Sequence, residues 1–286
     1  MTLRDIRELK EDKEAYAAEL ERRWTGLLSY RYIGRRYGSM DLDADGDDFV
    51  RLRHDFRNST GGLMVAPLAI ASPEGGGRSD LEVVPNPVIH SAQILDPAHD
   101  VQRIEVCSAT LKLGRQMGFS RSKIVDADNP DRVIAFTEGQ GASIGDVPEG
   151  LQKMPEKPLN IVDSPDLPPL WKVFGASRRP DGHWSLPELA VELASPDAAL
   201  HIGPQHVVLE TAAMDAAAER AGTDRLQIRS WHVMFLARGK VGPFRVDTEA
   251  AAGADGQVGV RMLMIDEGNA GRAVTSGSAV FSIVPG

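Results

Sequence analysis

The stretch His206-Val207-Val208-Leu209-Glu210-Thr211-Ala212-Ala213-Met214-Asp215 (HVVLETAAMD) decides how the rest of this chain is read. It follows the turn Gly203-Pro204-Gln205 and opens a run of helix formers that lasts to about Arg220. Gly222 then stops it, as glycine does just past a helix end. Val207, Val208, Leu209, Ala212, Ala213, Met214, Ala216 and Ala217 leave this helix almost no polar face, so it is expected to be buried. Asp215 lies within that apolar run. A carboxylate in such a place costs free energy unless it is paired or used. It is therefore either a working group or an aspartate that caps a loop or pairs with an arginine.

Downstream, Gln227–Leu236 alternates as a strand, and Ala237–Lys240 turns the chain. Phe244–Ala251, Val258–Ile265 and Arg272–Ile283 read as three more strands, separated by turns at Gly253–Gly256 and Glu267–Ala270. One buried helix followed by a four-strand antiparallel meander resembles the hotdog fold, in which a sheet wraps a central helix. A His at the helix start with an acidic residue nine positions on resembles the acyl-CoA thioesterases of the phenylacetate-pathway (PaaI-like) type. Their motif is His-Gly-Gly, six residues, then Asp or Glu. His206 and Asp215 keep its ends, while Val207 and Val208 replace both glycines.

The totals are compatible with this. A chain of 286 residues suffices for two domains, and 42% hydrophobic with 26% charged residues is the composition of a globular protein. A net charge of −9 speaks against a nucleic-acid binder and offers no basic block to a membrane surface. It also means that an anionic ligand such as coenzyme A would need local basic residues. One cysteine, Cys107, allows no intrachain disulfide. With no apolar leader or membrane-length run, the chain is expected to be cytoplasmic.

The first half repeats the second. Strands read at Val88–Leu95, Val101–Leu111, Met117–Ala127 and Arg132–Ile144. Asp126-x-x-Asn129-x-x-Arg132 matches Asp266-x-x-Asn269-x-x-Arg272, an offset of 266 − 126 = 140. Upstream, Gly61-Gly62 opens a short apolar segment. Setting Thr60-Gly61-Gly62 on His206-Val207-Val208 puts Ala69 on Asp215, an offset of 215 − 69 = 146. On that alignment the first half keeps the glycines and lacks the carboxylate, and the second half does the reverse.

The expected fold class is therefore α+β, a tandem (double) hotdog. Two antiparallel sheets each wrap a central helix, with the helices side by side and the strands in one continuous sheet. Residues 1–150 would hold an N-terminal helix and the first unit, 151–185 a Pro/Gly-rich linker pinned by Trp171 and Phe174, and 186–286 the second unit, opening with a strand at Leu186–Leu193. The amphipathic helix expected over residues 3–28 would pack outside a domain or against a partner, near a homodimer contact. Asp41–Asp47 (DLDADGD) imitates a calcium loop but has Leu52 at the position needing Glu, so it reads as an acidic turn before a strand Phe49–Arg57. His54, His90, His99, His183, His201 and His232 show no metal-ligand spacing. Asp128-Asn129-Pro130-Asp131 lacks the His of the hotdog hydratase motif.

The resemblance implies hydrolysis of an acyl-CoA or related acyl thioester, with coenzyme A as part of the substrate and no separate cofactor. Nine residues at ~1.5 Å put Asp215 about 13 Å from the start of its own helix, so one carbonyl cannot touch both. With the two helices antiparallel, Asp215 would instead meet backbone donors at Gly61 and Gly62 of the first half, and one site per chain would work. Asn58 is a candidate polar contact for the carbonyl or water, with Thr60 and Thr211 beside the substrate. Arg115, Arg121, Arg238 and Lys240 are candidates for the nucleotide phosphates. His206, at the other pairing, is expected to be a helix N-cap. The alternatives are a non-catalytic acyl or small-molecule binder and a hotdog enoyl-thioester hydratase or dehydratase.

Overall fold

A computed structural model describes residues 5–25, 27–34, 49–72, 83–146 and 159–285. The acidic stretch Asp41–Asp47 and most of the glycine-rich spacer after Ser72 lie outside them. The helices are α1 (Lys13–Thr25), α2 (Leu28–Ile33), α3 (Val65–Ala71), α4 (Leu170–Val173) and α5 (Ile202–Ala221). The strands are β1 (Phe49–Arg51), β2 (Val83–Ile94), β3 (Arg103–Leu113), β4 (Met117–Asp126), β5 (Asn129–Asp146), β6 (Ser177–Arg178), β7 (Trp184–Leu186), β8 (Leu226–Phe235), β9 (Phe244–Ala252), β10 (Gln257–Asp266) and β11 (Arg272–Ile283).

All eleven strands form one antiparallel sheet, in the order β1-β3-β4-β5-β2-β8-β11-β10-β9-β7-β6. The two sheets of the expected tandem arrangement are thus joined edge to edge as one continuous sheet. The halves meet where β2 pairs with β8 (Ala92 opposite Trp231), so their ladders are continuous. Read outward from that junction, β2-β5-β4-β3-β1 and β8-β11-β10-β9-β7 are the same arrangement twice. The offset of 140 holds in the strands: Val125 faces Val133 in one hairpin and Ile265 faces Ala273 in the other.

The offset of 146 fails in the helices. A bridge Arg57–Leu63 precedes α3 and a bridge Ala194–Leu200 precedes α5, which gives 194 − 57 = 137 and 200 − 63 = 137. Both turns carry the same bonds, Asn58 N–H to Gly62 O and Gly61 N–H to Asn58 O against Ser195 N–H to Ala199 O and Ala198 N–H to Ser195 O. Gly61 and Ala198 both have positive φ, at 80° and 53°. Gly61-Gly62 therefore matches Ala198-Ala199, and Ala69 matches His206.

The second helix begins four residues earlier than its composition suggests, because Pro204 is compatible with a first turn. Its N-cap is His201, whose Nδ1 accepts from Gly203 N–H, and not His206. Gly222 in the left-handed region ends it. α3 and α5 pack together in one hydrophobic core with the inner face of the sheet. Leu186–Leu193 is a strand only to Leu186, followed by a 3₁₀ turn at Val191–Leu193; Phe49–Arg57 is likewise split, into β1 and a 3₁₀ turn at His54–Phe56. The N-terminal helix is broken into a 3₁₀ turn (Ile6–Leu9), α1 and α2. Ile6, Tyr16 and Leu20 bury together in a small cluster of their own.

Candidate active site

Glu210 lies at the ninth position of α5, one turn beyond His206, and is fully buried. Its Oε1 accepts the backbone N–H of Val65 at 2.6 Å and its Oε2 that of Ala66 at 2.7 Å. These two amides open α3, where no intrahelical acceptor exists for them. A carboxylate of the second half thus meets two backbone donors of the first. Burial drives the Glu210 carboxyl up to about 7, against the opposing pull of the two N–H bonds. Such a group can exchange a proton near neutrality.

The structure does not bring Asp215 to Gly61 and Gly62. Five residues beyond Glu210, Asp215 lies about 7.5 Å further along α5 and about 140° around it. Its side chain is 43% exposed, accepts from Trp184 Nε1 at 2.8 Å and lies 3.7 Å from Arg178. Asp215 is thus an aspartate paired with an arginine, the second of the two roles its sequence position allows. The Gly61 N–H goes to Asn58 O and the Gly62 N–H to Asn58 Oδ1, so neither points at a carboxylate. Asn58 also receives the Thr60 N–H and hydroxyl, and its Nδ2 reaches Leu226 O on β8. It holds a turn together. Thr211 returns its hydroxyl to Val207 O within its own helix.

The two equivalent turns differ sharply in exposure. Asn58–Gly61 is partly open and Ser59 is exposed, whereas every residue from Ala194 to Pro204 is buried. The cover is the N-terminal segment. Ser29 Oγ lies 2.9 Å from His201 Nδ1, Tyr30 packs edge-on to His201, and Arg23 Nη1 donates to Pro196 O. A Cβ on Gly203, the counterpart of Ala66, would overlap Ser29. One of the two related positions is plugged, and the other faces Glu210.

Arg238 and Lys240 belong to the plugged side. Arg238 pairs with Asp197 at 2.7 Å, and Lys240 Nζ reaches Asp5 Oδ2 and Asp197 O. Arg115 and Arg121 are exposed on the β3–β4 hairpin, at its turn and on β4. No basic cluster therefore forms from the four candidates for a phosphate site.

His206 is fully buried beside Glu210's turn of helix. Its Nδ1 accepts from Trp231 Nε1 at 3.2 Å, and burial holds its pKa down to about 3, which keeps the ring neutral. His90 packs edge-on against it, and His90 Nε2 lies 3.0 Å from Ser72 Oγ. Among the described residues no three His, Cys, Asp or Glu side chains are grouped to hold a metal ion, and no helix is long and apolar enough to cross a membrane.

Sequence reasoning passed over Glu210 in favour of Asp215. The signal was present: Leu63-x-x-x-Pro67 and Leu200-x-x-x-Pro204 share the offset of 137, which sets the helices in register.

No protein-family model matches the chain, and no curated protein matches it by sequence. Solved structures do resemble it. The tesB protein of Mycobacterium avium subspecies paratuberculosis is 15% identical, covers 85% of this chain and 95% of its own, and superposes with a TM-score of 0.57. The acyl-CoA thioesterase II TesB2 of Mycobacterium marinum is 14% identical over 85% of this chain and 96% of its own, with a TM-score of 0.54. A 12:0-ACP thioesterase from Umbellularia californica is 9% identical over 82% and 92%, with a TM-score of 0.51. The chain therefore shares its fold with hotdog thioesterase structures. The TesB proteins are a different family from the phenylacetate type that the His206–Asp215 spacing suggested.

Proposed function

We propose that this protein hydrolyses acyl thioesters at one composite site per chain, built from Glu210 of the second half and the backbone amides of Val65 and Ala66 of the first. The observation that carries this is the pair of N–H bonds from Val65 and Ala66 to a fully buried carboxylate across the junction of the halves. The shared fold supports the reading, and so does the sealing of the equivalent position by Arg23, Ser29 and Tyr30.

Thioester hydrolysis needs a base or nucleophile at the carbonyl carbon and donors for the oxyanion that forms. When a thioester carbonyl takes the Val65 and Ala66 N–H groups, the Glu210 carboxylate is released beside the carbonyl carbon. Glu210 then removes a proton from water as the water oxygen adds to that carbon, and the two amides hold the oxyanion. Collapse of the adduct breaks the C–S bond, and the proton on Glu210 passes to the departing thiolate. Direct attack by Glu210, through an anhydride that water later opens, uses the same geometry.

We take residues 1–150 and 186–286 as two hotdog units joined by the linker 151–185, which Trp171 anchors against Trp184 and Phe174 against Tyr32. A cytoplasmic homodimer acting on acyl-CoA remains our expectation for the whole protein. The test is a panel of acyl-CoA and acyl-ACP substrates assayed with wild type and Glu210→Gln. Loss of turnover in the variant alone supports the site. A wild-type protein inert on the whole panel removes the hydrolase reading and favours a binding role, in which Glu210 only caps the first turn of α3.

A further inference from the structure

Gln227, second residue of β8, is 1% exposed, and neither polar atom of its side-chain amide has a hydrogen-bond partner among the described residues. A buried donor and acceptor left unpaired are costly and uncommon. This amide lies against the turn that leads to the candidate site. A Cβ on Gly62 would overlap Gln227 Oε1, and Pro97 Cβ lies beside the same spot. Asn58 Nδ2 donates to Leu226 O, so the turn is tied to the strand at the neighbouring residue. In the plugged twin turn Ala199 stands where Gly62 does, with a Cβ in the corresponding place. Gly62 thus makes room for a polar group that nothing among the described residues satisfies. Gly62 and Val65 are three positions apart, so the two lie within about 10 Å of each other.

We propose that Gln227 binds the thiol arm of the substrate, its Oε1 accepting an amide N–H and its Nε2 donating to an amide carbonyl. This rests on the thioester reading of Glu210 and narrows the substrate class to thioesters whose arm carries amides close to sulfur. Pantetheine, the arm common to coenzyme A and acyl-carrier protein, has two amides in series and so offers one group of each kind. A hydrocarbon thiol offers neither, and a phosphate or carboxylate leaves the Oε1 acceptor unmet. Gln227 is on this view a positioning residue. It fixes how far the arm enters, and therefore where the carbonyl falls relative to Val65, Ala66 and Glu210.

The experiment compares one acyl group carried on pantetheine and on hexanethiol, using wild type, Gln227→Leu and Gly62→Ala. Free pantetheine is titrated calorimetrically into each protein as a readout that needs no turnover. Wild type should favour the pantetheine thioester in kcat/KM by about tenfold or more, chiefly through KM, and should bind free pantetheine. Both properties should collapse in Gln227→Leu. Gly62→Ala pushes Oε1 aside while keeping the amide, so it should lose both as well, and it serves if Gln227→Leu does not fold. A flat wild-type titration overturns the proposal. So does unchanged preference and binding in a folded Gln227→Leu protein, which would make Gln227 a buried amide served by water. Pantetheine binding that depends on Gln227 without any hydrolysis overturns only the thioesterase reading.

Discussion

Glu210 and Val65, 145 positions apart in sequence, are joined by a 2.6 Å bond from the Val65 N–H to the Glu210 carboxylate. That bond sets the phase of one central helix against the other, and with it which carboxylate of α5 looks across to the first half.

Glu210→Gln should lower kcat for thioester cleavage by about 10²–10⁴, the usual loss when a positioned base is removed. Asp215→Asn should leave kcat within about tenfold, because Asp215 faces Trp184 and Arg178 and lies outside the site. Steady-state kinetics on both variants, with folding checked by circular dichroism, decides the matter. The reverse ranking would return the catalytic role to Asp215.

The pH dependence follows from two buried groups with opposite signs. Burial raises Glu210 from 4.5 to about 7 and lowers His206 from 6.5 to about 3. Between pH 4.5 and 7 native Glu210 keeps a proton that the unfolded chain has released, so its contribution to stability falls as pH rises. Between pH 3 and 6.5 the unfolded chain protonates His206 while the native ring refuses, so that contribution falls as pH drops. In their overlap the two offset each other. Glu210→Gln removes one of them and should gain stability relative to wild type by about 3 kcal/mol as pH goes from 4.5 to 7. Urea unfolding across that range measures it; parallel curves for the two proteins would show that Glu210 titrates normally. Wild-type kcat should rise with pH toward about 7, as the base form accumulates.

Gly203→Ala should wedge α2 away from the start of α5, since the new methyl overlaps Ser29. Overpacking of this kind costs about 1–3 kcal/mol. Cleavage of the N-terminal segment by dilute protease should quicken, while thioester turnover stays as it was. Unaltered proteolysis would mean that the segment is not held through this contact.

Asp266 ends β10, is fully buried, and its carboxylate accepts the backbone N–H groups of Lys240, Val241 and Gly242. Asp266→Ala should cost about 3 kcal/mol or more, because those donors lose their acceptor inside the protein. Denaturant melts would reveal it. A loss below about 1 kcal/mol would mean that water reaches the turn.

Much of this was open to inspection in the sequence. Strands β8 to β11 show period-two alternation, and Asp126–Arg132 and Asp266–Arg272 mark equivalent hairpins because those residue types suit tight turns. The helix register was harder to see. Gly61-Gly62 invites comparison with a glycine pair at a helix start, yet it forms the turn before α3, where Gly61 needs a positive φ that Ala198 also adopts. Asp215 stands out because alanines surround it, whereas Glu210 follows a leucine and looks ordinary. Which of the two is buried depends on the packing of α3 on α5, a contact between segments far apart in the chain. The N-terminal plug left no sequence signal beyond an amphipathic pattern, because its partners are the backbone of Pro196 and the ring of His201.

The sheet has one more consequence. Its outermost strands are β1 and β6, of three and two residues. Unpaired strand borders are templates on which other chains can grow. β1 covers only Arg103–Glu105 of β3, and β7 only Phe244–Val246 of β9, so past those residues β3 and β9 have no further strand beside them among the described residues. The long strands β2, β5, β8 and β11 are all interior, flanked on both sides. Growth of the ribbon from its sides would therefore start on β3 and β9, whose outer neighbours cover three residues each.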